Sequence, residues 1–349
     1  MAKSIIGLHI GARSIKAVEL ENPDKVSPTL KAFHEVALPD GAARDGEVLD
    51  AGLVILSLKQ MFKEMKFGTK QVVLGVGNQR VLVRDVKLPK MNADDMREAL
   101  PLQVEGLLPV SVDESVLDFY PIAEVDGKDG PEISGLLVAA IRDIVETNVK
   151  AVSKAELTPV AVDLVPFAIA RLYNTQAIAD ETVALLHIGS STSYTVIVRN
   201  QIPIFVRIIP IGGDSITETL RRELGVPFDE AEQIKRQYGI NFGQHPEIDP
   251  NLKTALTESV RQIIGSFKST KDFFQYSNTS APIGRILFSG GGTLMPGLAQ
   301  QLQFELGSPG EFMTPYSQIK IGPKADAQLA QSKAIDMVIP LGLAIGDVR

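Results

Sequence analysis

A chain of 349 residues, 44% hydrophobic and 22% charged, has material for a substantial core spread over two or three domains, which excludes a disordered protein. A net charge of −7 with no Lys/Arg run argues against nucleic acid as a partner, and the absence of Cys excludes a disulfide framework or a thiolate metal site. No apolar run approaches the roughly 18–20 residues of a membrane span, and Met1-Ala2-Lys3 leads into a strand rather than a cleavable signal, so the expected compartment is the cytoplasm.

In chain order, residues 4–37 predict three strands. The first two make a hairpin around Leu8-His9-Ile10-Gly11-Ala12-Arg13-Ser14-Ile15-Lys16. Apolar residues at helical spacing (Leu49, Leu53, Leu56, Met61, Met65) predict a helix over 49–65, and 71–76 reads as a short buried strand. Residues 81–88 alternate as a strand ended by Pro89. Asn92 or Asp94 can cap a helix containing Met96, Leu100, Val104 and Leu107, with a kink expected at Pro101. Strands at 116–122 and 133–141 flank the turn Asp126-Gly127-Lys128-Asp129-Gly130. An amphipathic helix at 143–157 and a strand at 160–164 then complete a predicted βαββαβ insert, and 166–173 reads as a helix with Pro in its first turn.

The second half opens by repeating the first. Leu186-His187-Ile188-Gly189-Ser190-Ser191-Thr192 lies 187 − 9 = 178 residues beyond the first copy, again between two strands and followed by a third at 202–209. Solenoid periods run to about 20–50 residues, so this spacing indicates a duplicated domain core. Gly212-Gly213 precedes a helix at 215–224, and Asp229 starts another that carries Glu232 and Lys235 and ends at Gly239. After a polar loop at 241–251 comes a long helix, 252–276. A strand at 285–289 then runs into Gly290-Gly291-Gly292-Thr293-Leu294-Met295-Pro296-Gly297. Each Gly turn after a strand permits tight backbone curvature and an anion-binding nest of amides; taken alone, each is also compatible with an ordinary hairpin turn.

Two loops of matching sequence and a third Gly-rich turn resemble the actin-like ATPase superfamily. Within it, the chain resembles the type IV pilus assembly protein PilM family and its cell-division relative FtsA. The resemblance implies an α/β fold of duplicated, ribonuclease H-like βββαβα halves with an inserted α+β subdomain. The expected divisions are 1–80 with 166–181, the insert 81–165, 182–215 with 281–349, and a helical subdomain 216–280. It also implies a nucleotide site: Gly11, Ala12, Ser14 and Lys16 in the first phosphate loop, and Gly189, Ser190, Ser191 and Thr192 in the second. Gly213 lies nearby, Glu232 and Lys235 touch the nucleoside, and Gly290, Gly291 and Gly292 form the adenosine turn. Without that resemblance the Glu232–Lys235 pair, at i and i+3, reads equally as a surface ion pair.

Three positions depart from the family. Its phosphate loops carry an acidic residue immediately before Ile-Gly, and here those positions are His9 and His187; Val165 stands where a polar water-orienting residue is expected. Imidazole is a poor substitute for the oxygen ligands of Mg²⁺, and phosphoryl transfer to water needs both the metal and a positioned nucleophile. Hydrolysis is therefore not expected, and ATP or ADP would be held weakly, differently or not at all. Three roles remain open for the histidines. They can fill a relic cleft, protonate beside phosphate and replace part of the Mg²⁺ charge, or chelate a Zn²⁺-like ion, for which two ligands are an incomplete set.

The family's partner is the N-terminal cytoplasmic peptide of PilN, held in a groove by the insert, within a PilN/PilO inner-membrane complex. The stretch 339–349 carries no basic amphipathic pattern, so attachment to the inner face of the membrane is expected through that partner, without direct insertion. Self-association into filaments, as in an FtsA-like tether, and a type II secretion platform role are the rival readings.

Overall fold

The computed structural model describes residues 3–44, 46–128, 130–173, 180–278 and 281–346. Asp129 of the expected turn and 347–349 of the expected C-terminus lie outside these. The first half begins with β1 (Ser4–Ile10), β2 (Ser14–Glu21) and β3 (Thr29–Ala37), an antiparallel meander. A two-residue ladder follows, β4 (Ala43–Arg44) with β5 (Glu47–Val48), and then α1 (Ala51–Glu64), whose N-terminus is capped by the Asp50 carboxylate accepting from Leu53 N–H. Strand β6 (Gln71–Val76) lies parallel to β1.

The insert comprises β7 (Val81–Pro89), α2 (Ala93–Gln103), β8 (Ser115–Asp126) and β9 (Pro131–Ile141), with its three strands in the order β7-β9-β8. Asn92 caps α2. That helix stops two residues after Pro101 and does not run kinked to Leu107. The next two elements, α3 (Arg142–Lys154) and β10 (Thr158–Leu164), fall within the expected insert 81–165 but do not join its three-stranded sheet. Strand β10 pairs parallel with β6 in the main sheet, and α3 packs beside α1. The reason is specific: Asn148, fully buried on α3, accepts from Val48 N–H (3.0 Å) and donates to Gly46 C=O (2.8 Å), while Ala151 and Val152 enter the core with Leu58 and Met61. The insert therefore ends at Ile141. Helix α4 (Val165–Tyr173) then returns to the main body.

The second half repeats the plan with β11 (Thr182–Ile188), β12 (Ser193–Arg199) and β13 (Ile202–Ile209). The β12–β13 turn has Asn200 and Gln201 both at positive φ (50° and 67°), the backbone of a two-residue hairpin loop whose twist suits the strands. Helices α5 (Gly213–Leu224), α6 (Phe228–Tyr238) and α7 (Pro250–Ser277) pack together, α7 starting with Pro250 behind the cap Asp249. Strand β14 (Ile283–Ser289) lies parallel to β11, followed by α8 (Leu298–Leu306) and the edge strand β15 (Gly310–Phe312).

From there the chain crosses back. Strand β16 (Lys320–Ile321) joins the edge of the first sheet at β3, and after α9 (Ala327–Ser332), α10 (Val338–Ile345) packs on β1, β2 and α4. The expected grouping of 281–349 with the second half thus holds only as far as β15. One hydrophobic cluster joins Ile5 and Val18 of the first sheet, Val183 and Val196 of the second, and Leu341 and Leu343 of α10.

The contacts at α10 are backbone to backbone. A Cβ at Gly7 would lie 1.9 Å from the Pro340 carbonyl oxygen, and one at Gly342 would lie 1.9 Å from that of Ala168. Gly7→Ala and Gly342→Ala are each expected to cost about 3 kcal/mol or more, the upper range for overpacking. Gly265→Ala, in the middle of α7 with open space at its Cβ, should stabilise by up to about 1 kcal/mol. Urea denaturation of the three variants checks the contrast.

Candidate functional site

The two repeated loops close identically. Gly11 N–H donates to Ser14 C=O (2.9 Å) between β1 and β2, and Gly189 N–H donates to Thr192 C=O (3.0 Å) between β11 and β12. The third turn, Gly290 at φ 84° leading into Gly291–Leu294, is closed by Thr293 N–H onto Gly290 C=O. A Cβ at Gly290 would lie 2.4 Å from Ile188 C=O and 2.9 Å from the His187 ring, so only glycine allows this approach. The N-terminus of α5 abuts the second loop: Gly213 N–H reaches Gly189 C=O (2.8 Å) and Asp214 N–H reaches Ser190 C=O (2.7 Å).

These turns face one another across a cleft of about 530 Å³ between the halves, within the roughly 300–1,000 Å³ typical of small-molecule sites. Its walls bring together Gly11, Ser14, Lys16, Gly189, Ser190, Gly213, Glu232, Lys235, Gly290, Gly291 and Gly292, with His9 and His187. Ala12, Ser191 and Thr192 do not line it. Thr192 is buried and serves the loop through its carbonyl. Val165 is buried in the core against Gly75 and Gly77 and is not among the residues lining the cleft.

Sequence reasoning missed Arg13, Glu35, Asp214, Phe228, Lys333 and Asp336, all on the cleft wall. Arg13 and Asp214 adjoin predicted loop residues and were within reach of the motif. Lys333 and Asp336 sit in a stretch without a periodic pattern and arrive only because the chain crosses back. Arg13 bridges the halves, its Nε donating to Asp214 Oδ2 (3.0 Å) while its guanidinium lies 4.3 Å from the Phe228 ring centroid. Although the two loop positions are His9 and His187, carboxylates do reach the cleft from elsewhere: Glu35, Asp214, Asp229, Glu232 and Asp336.

Glu232 and Lys235 form a built network, not a loose surface pair. Lys235 is buried, pairs with Glu232, and donates to Gly213 C=O (3.0 Å) and Thr217 Oγ1 (2.7 Å). Thr217 in turn donates to Glu232 (2.6 Å). Burial pushes the Lys235 ammonium down from its ordinary value, against the pull of Glu232. Burial works to raise the Glu232 carboxyl, but hydrogen bonds from Lys235, Thr217 and Arg236 outweigh it and hold that group low. The pair fastens α6 to α5 at the mouth of the cleft.

The two histidines sit beneath the phosphate-type loops. His187 Nδ1 lies 3.0 Å from Ser289 Oγ, whereas the buried His9 Nδ1 has no hydrogen-bond partner. Desolvation, reinforced by Lys16, lowers His9 to about 3. Desolvation, then His9 and Lys16, lowers His187 likewise to about 3. Both rings are therefore held neutral at physiological pH while no anion lies beside them. Among the described residues, no group of three or more His, Cys, Asp or Glu is placed to share a metal ion.

Two sheets of repeated topology around a ligand-sized cleft define the actin-like ATPase fold. Residues 7–348 match the sequence profile of the type IV pilus assembly protein PilM. The chain belongs to the PilM family. The solved PilM–PilN type IV pilus biogenesis complex superposes with a TM-score of 0.85 at 26% identity, covering 99% of this chain and 98% of that one. The ethanolamine utilization protein EutJ of Carboxydothermus hydrogenoformans shares the fold (TM-score 0.56, 17% identity, 99% and 90% covered). Cell division protein FtsA of Bacillus subtilis (strain 168) is 23% identical over 256 residues, 67% of this chain, and the matched region spans 58% of FtsA.

Each histidine titrates at its ordinary 6.5 when unfolded but near 3 when folded, so between those values the unfolded chain binds more protons. The stability the rings contribute is complete above about pH 6.5 and declines as pH falls toward 3. At pH 5 the loss should be on the order of 1–2 kcal/mol per ring. Denaturation midpoints at pH 7.5 and 5 should converge in the His9→Gln/His187→Gln variant relative to the parent.

Proposed function

We propose that this protein is a cytoplasmic scaffold of the type IV pilus inner-membrane assembly platform. It holds the N-terminal cytoplasmic segment of a PilN-type protein in a groove beside the insert. The observation that carries this reading is a second cavity, of about 310 Å³, where three parts of the fold meet. Asp118 and Tyr120 come from β8 of the insert, Val162 and Asp163 from β10, Phe167 and Arg171 from α4, Gln201 from the β12–β13 turn and Pro203 from the start of β13.

The chemistry suits an extended peptide. Tyr120 and Phe167 stack with centroids 5.0 Å apart, forming an apolar floor, and the Asp163–Arg171 ion pair adds polar groups at its edge. Arg171 also donates to Gly342 C=O (3.2 Å), which ties the groove to α10. The likeness to a solved PilM–PilN complex along nearly the whole chain supports the same partner here. No helix among the described residues is long and apolar enough to cross a membrane, so a membrane-anchored partner supplies the attachment.

In this reading the cleft between the halves binds ATP or ADP to set their arrangement and does not serve hydrolysis. Assembly with PilO and self-association follow from the same platform role. Tyr120→Ala should raise the Kd for a fluorescent PilN N-terminal peptide by more than tenfold, as for buried aromatic anchors. Phe304→Ala, an exposed change on α8, should leave it unchanged. Equal affinity across both variants and the parent would remove the groove from this role.

A further inference from the structure

An actin-like cleft implies a nucleotide bound with Mg²⁺, and the residues here fit phosphate better than they fit that ion. Mg²⁺ demands hard oxygen ligands in near-octahedral array. At the two loop positions His9 and His187 offer only imidazole nitrogen, and although carboxylates reach the cleft, no three of the His, Asp or Glu among the described residues are placed to share one ion. A cation already stands there. Lys16 is the cross-strand partner of His9 on β2 and lines the same cleft wall, so its ammonium shares that wall with any ion held between the loops.

Charge balance points the same way. Two carboxylates with one Mg²⁺ sum to zero, and two neutral imidazoles without metal also sum to zero. With the Lys16 ammonium counted in both, these groups present a polyphosphate with one positive charge in either arrangement, so loss of the metal leaves Lys16 as their cation. Lys16 is moreover loosely held: its Nζ lies 3.7 Å from Glu35 and 3.7 Å from Asp336, beyond the roughly 2.7–2.9 Å of a charge-assisted hydrogen bond. Glu35 keeps other partners when Lys16 turns away, the Ser14 hydroxyl at 2.8 Å and Lys333 at 3.3 Å.

We propose that the cleft takes a nucleoside di- or triphosphate free of divalent metal, with the Lys16 ammonium as the cation that meets the phosphates and the two imidazoles as uncharged neighbours. This rests on the nucleotide reading of the cleft given above. Asp336, which packs against Gly291 of the third turn, separates the two modes. As a ligand to Mg²⁺ or its waters it would be needed, whereas without metal it is a carboxylate facing phosphate and opposes binding.

The test is the thermal shift of the full chain with ADP and ATP, titrated in EDTA and in excess Mg²⁺, since a ligand of the folded state raises its melting temperature. The expected apparent Kd in EDTA equals or is tighter than that in Mg²⁺, which sequesters the nucleotide. Asp336→Asn should tighten it at least threefold, and His9→Asp/His187→Asp should make binding depend on Mg²⁺. Binding tenfold tighter with Mg²⁺ in the parent, or weakened by Asp336→Asn, overturns the proposal while leaving the nucleotide reading intact. No shift with any nucleotide in either condition overturns that reading, and the proposal with it. If the double aspartate variant fails to fold, the parent and Asp336→Asn decide alone.

Discussion

The backbone of α10 rests directly on the backbone of β1 and α4, and the arrangement of the two halves depends on that contact. Glycines at 7 and 342 remove the side chains that would hold these elements apart. Without them, α10 would be displaced by the thickness of a methyl group, which a close-packed interior cannot absorb. Because α10 follows a strand that has crossed to the first sheet, the second half is stitched to the first by covalent connection and by packing at once. Leu341 and Leu343 share a core with residues of both sheets, so the floor of the cleft belongs to both halves.

Above that floor the contacts change character. The halves face each other through the ion pair of Arg13 with Asp214, while Lys16 with Asp336 and Lys333 with Glu35 tie the returning segment to the first half. Such partly exposed pairs contribute little each, about 0–1 kcal/mol, while the apolar seam below is worth far more per unit of area. Resistance to separation is therefore concentrated at the seam, and the cleft mouth is the side that can yield. A ligand that draws Lys16 or Arg13 away from its carboxylate changes only weak contacts and leaves the pivot untouched.

The duplication is legible in the sequence because both copies need the same backbone device, a strand entering Ile-Gly and a four-residue turn. Helix existence is legible from apolar spacing, as in α1 and α7, and one start from its cap, Asn92 before α2. What stays hidden is which sheet a strand joins. Residues 158–164 alternate like any strand, but their pairing with β6 is decided by Asn148 and the apolar face of α3, contacts about 100 residues apart. The cleft is legible at its loops and illegible at its far wall for the same reason. Asp336 and Lys333 acquire meaning only when α10 is laid on β1, an event of tertiary packing with no local signature. Burial is the other hidden quantity: the sequence offers two histidines, and only their enclosure decides that they are neutral.

Cleft and groove share one rigid element. Strands β12 and β13 begin and end beside the second phosphate-type loop, where Ser193 Oγ donates to Ile211 C=O (2.6 Å), and their turn at Asn200–Gln201 reaches the groove. The Tyr194 hydroxyl fastens this hairpin to Gly77 C=O (2.7 Å) on the segment that leads into the insert. Strand β13 also touches all three strands of the inserted sheet. The hairpin is paired from Ser193–Ile209 to Arg199–Ile202, with a register shift between Ile197 and Val198, and so joins the loop to the turn through one laddered element. Whatever binds at either end acts on the other only through the difference in its affinity for the two placements of that hairpin.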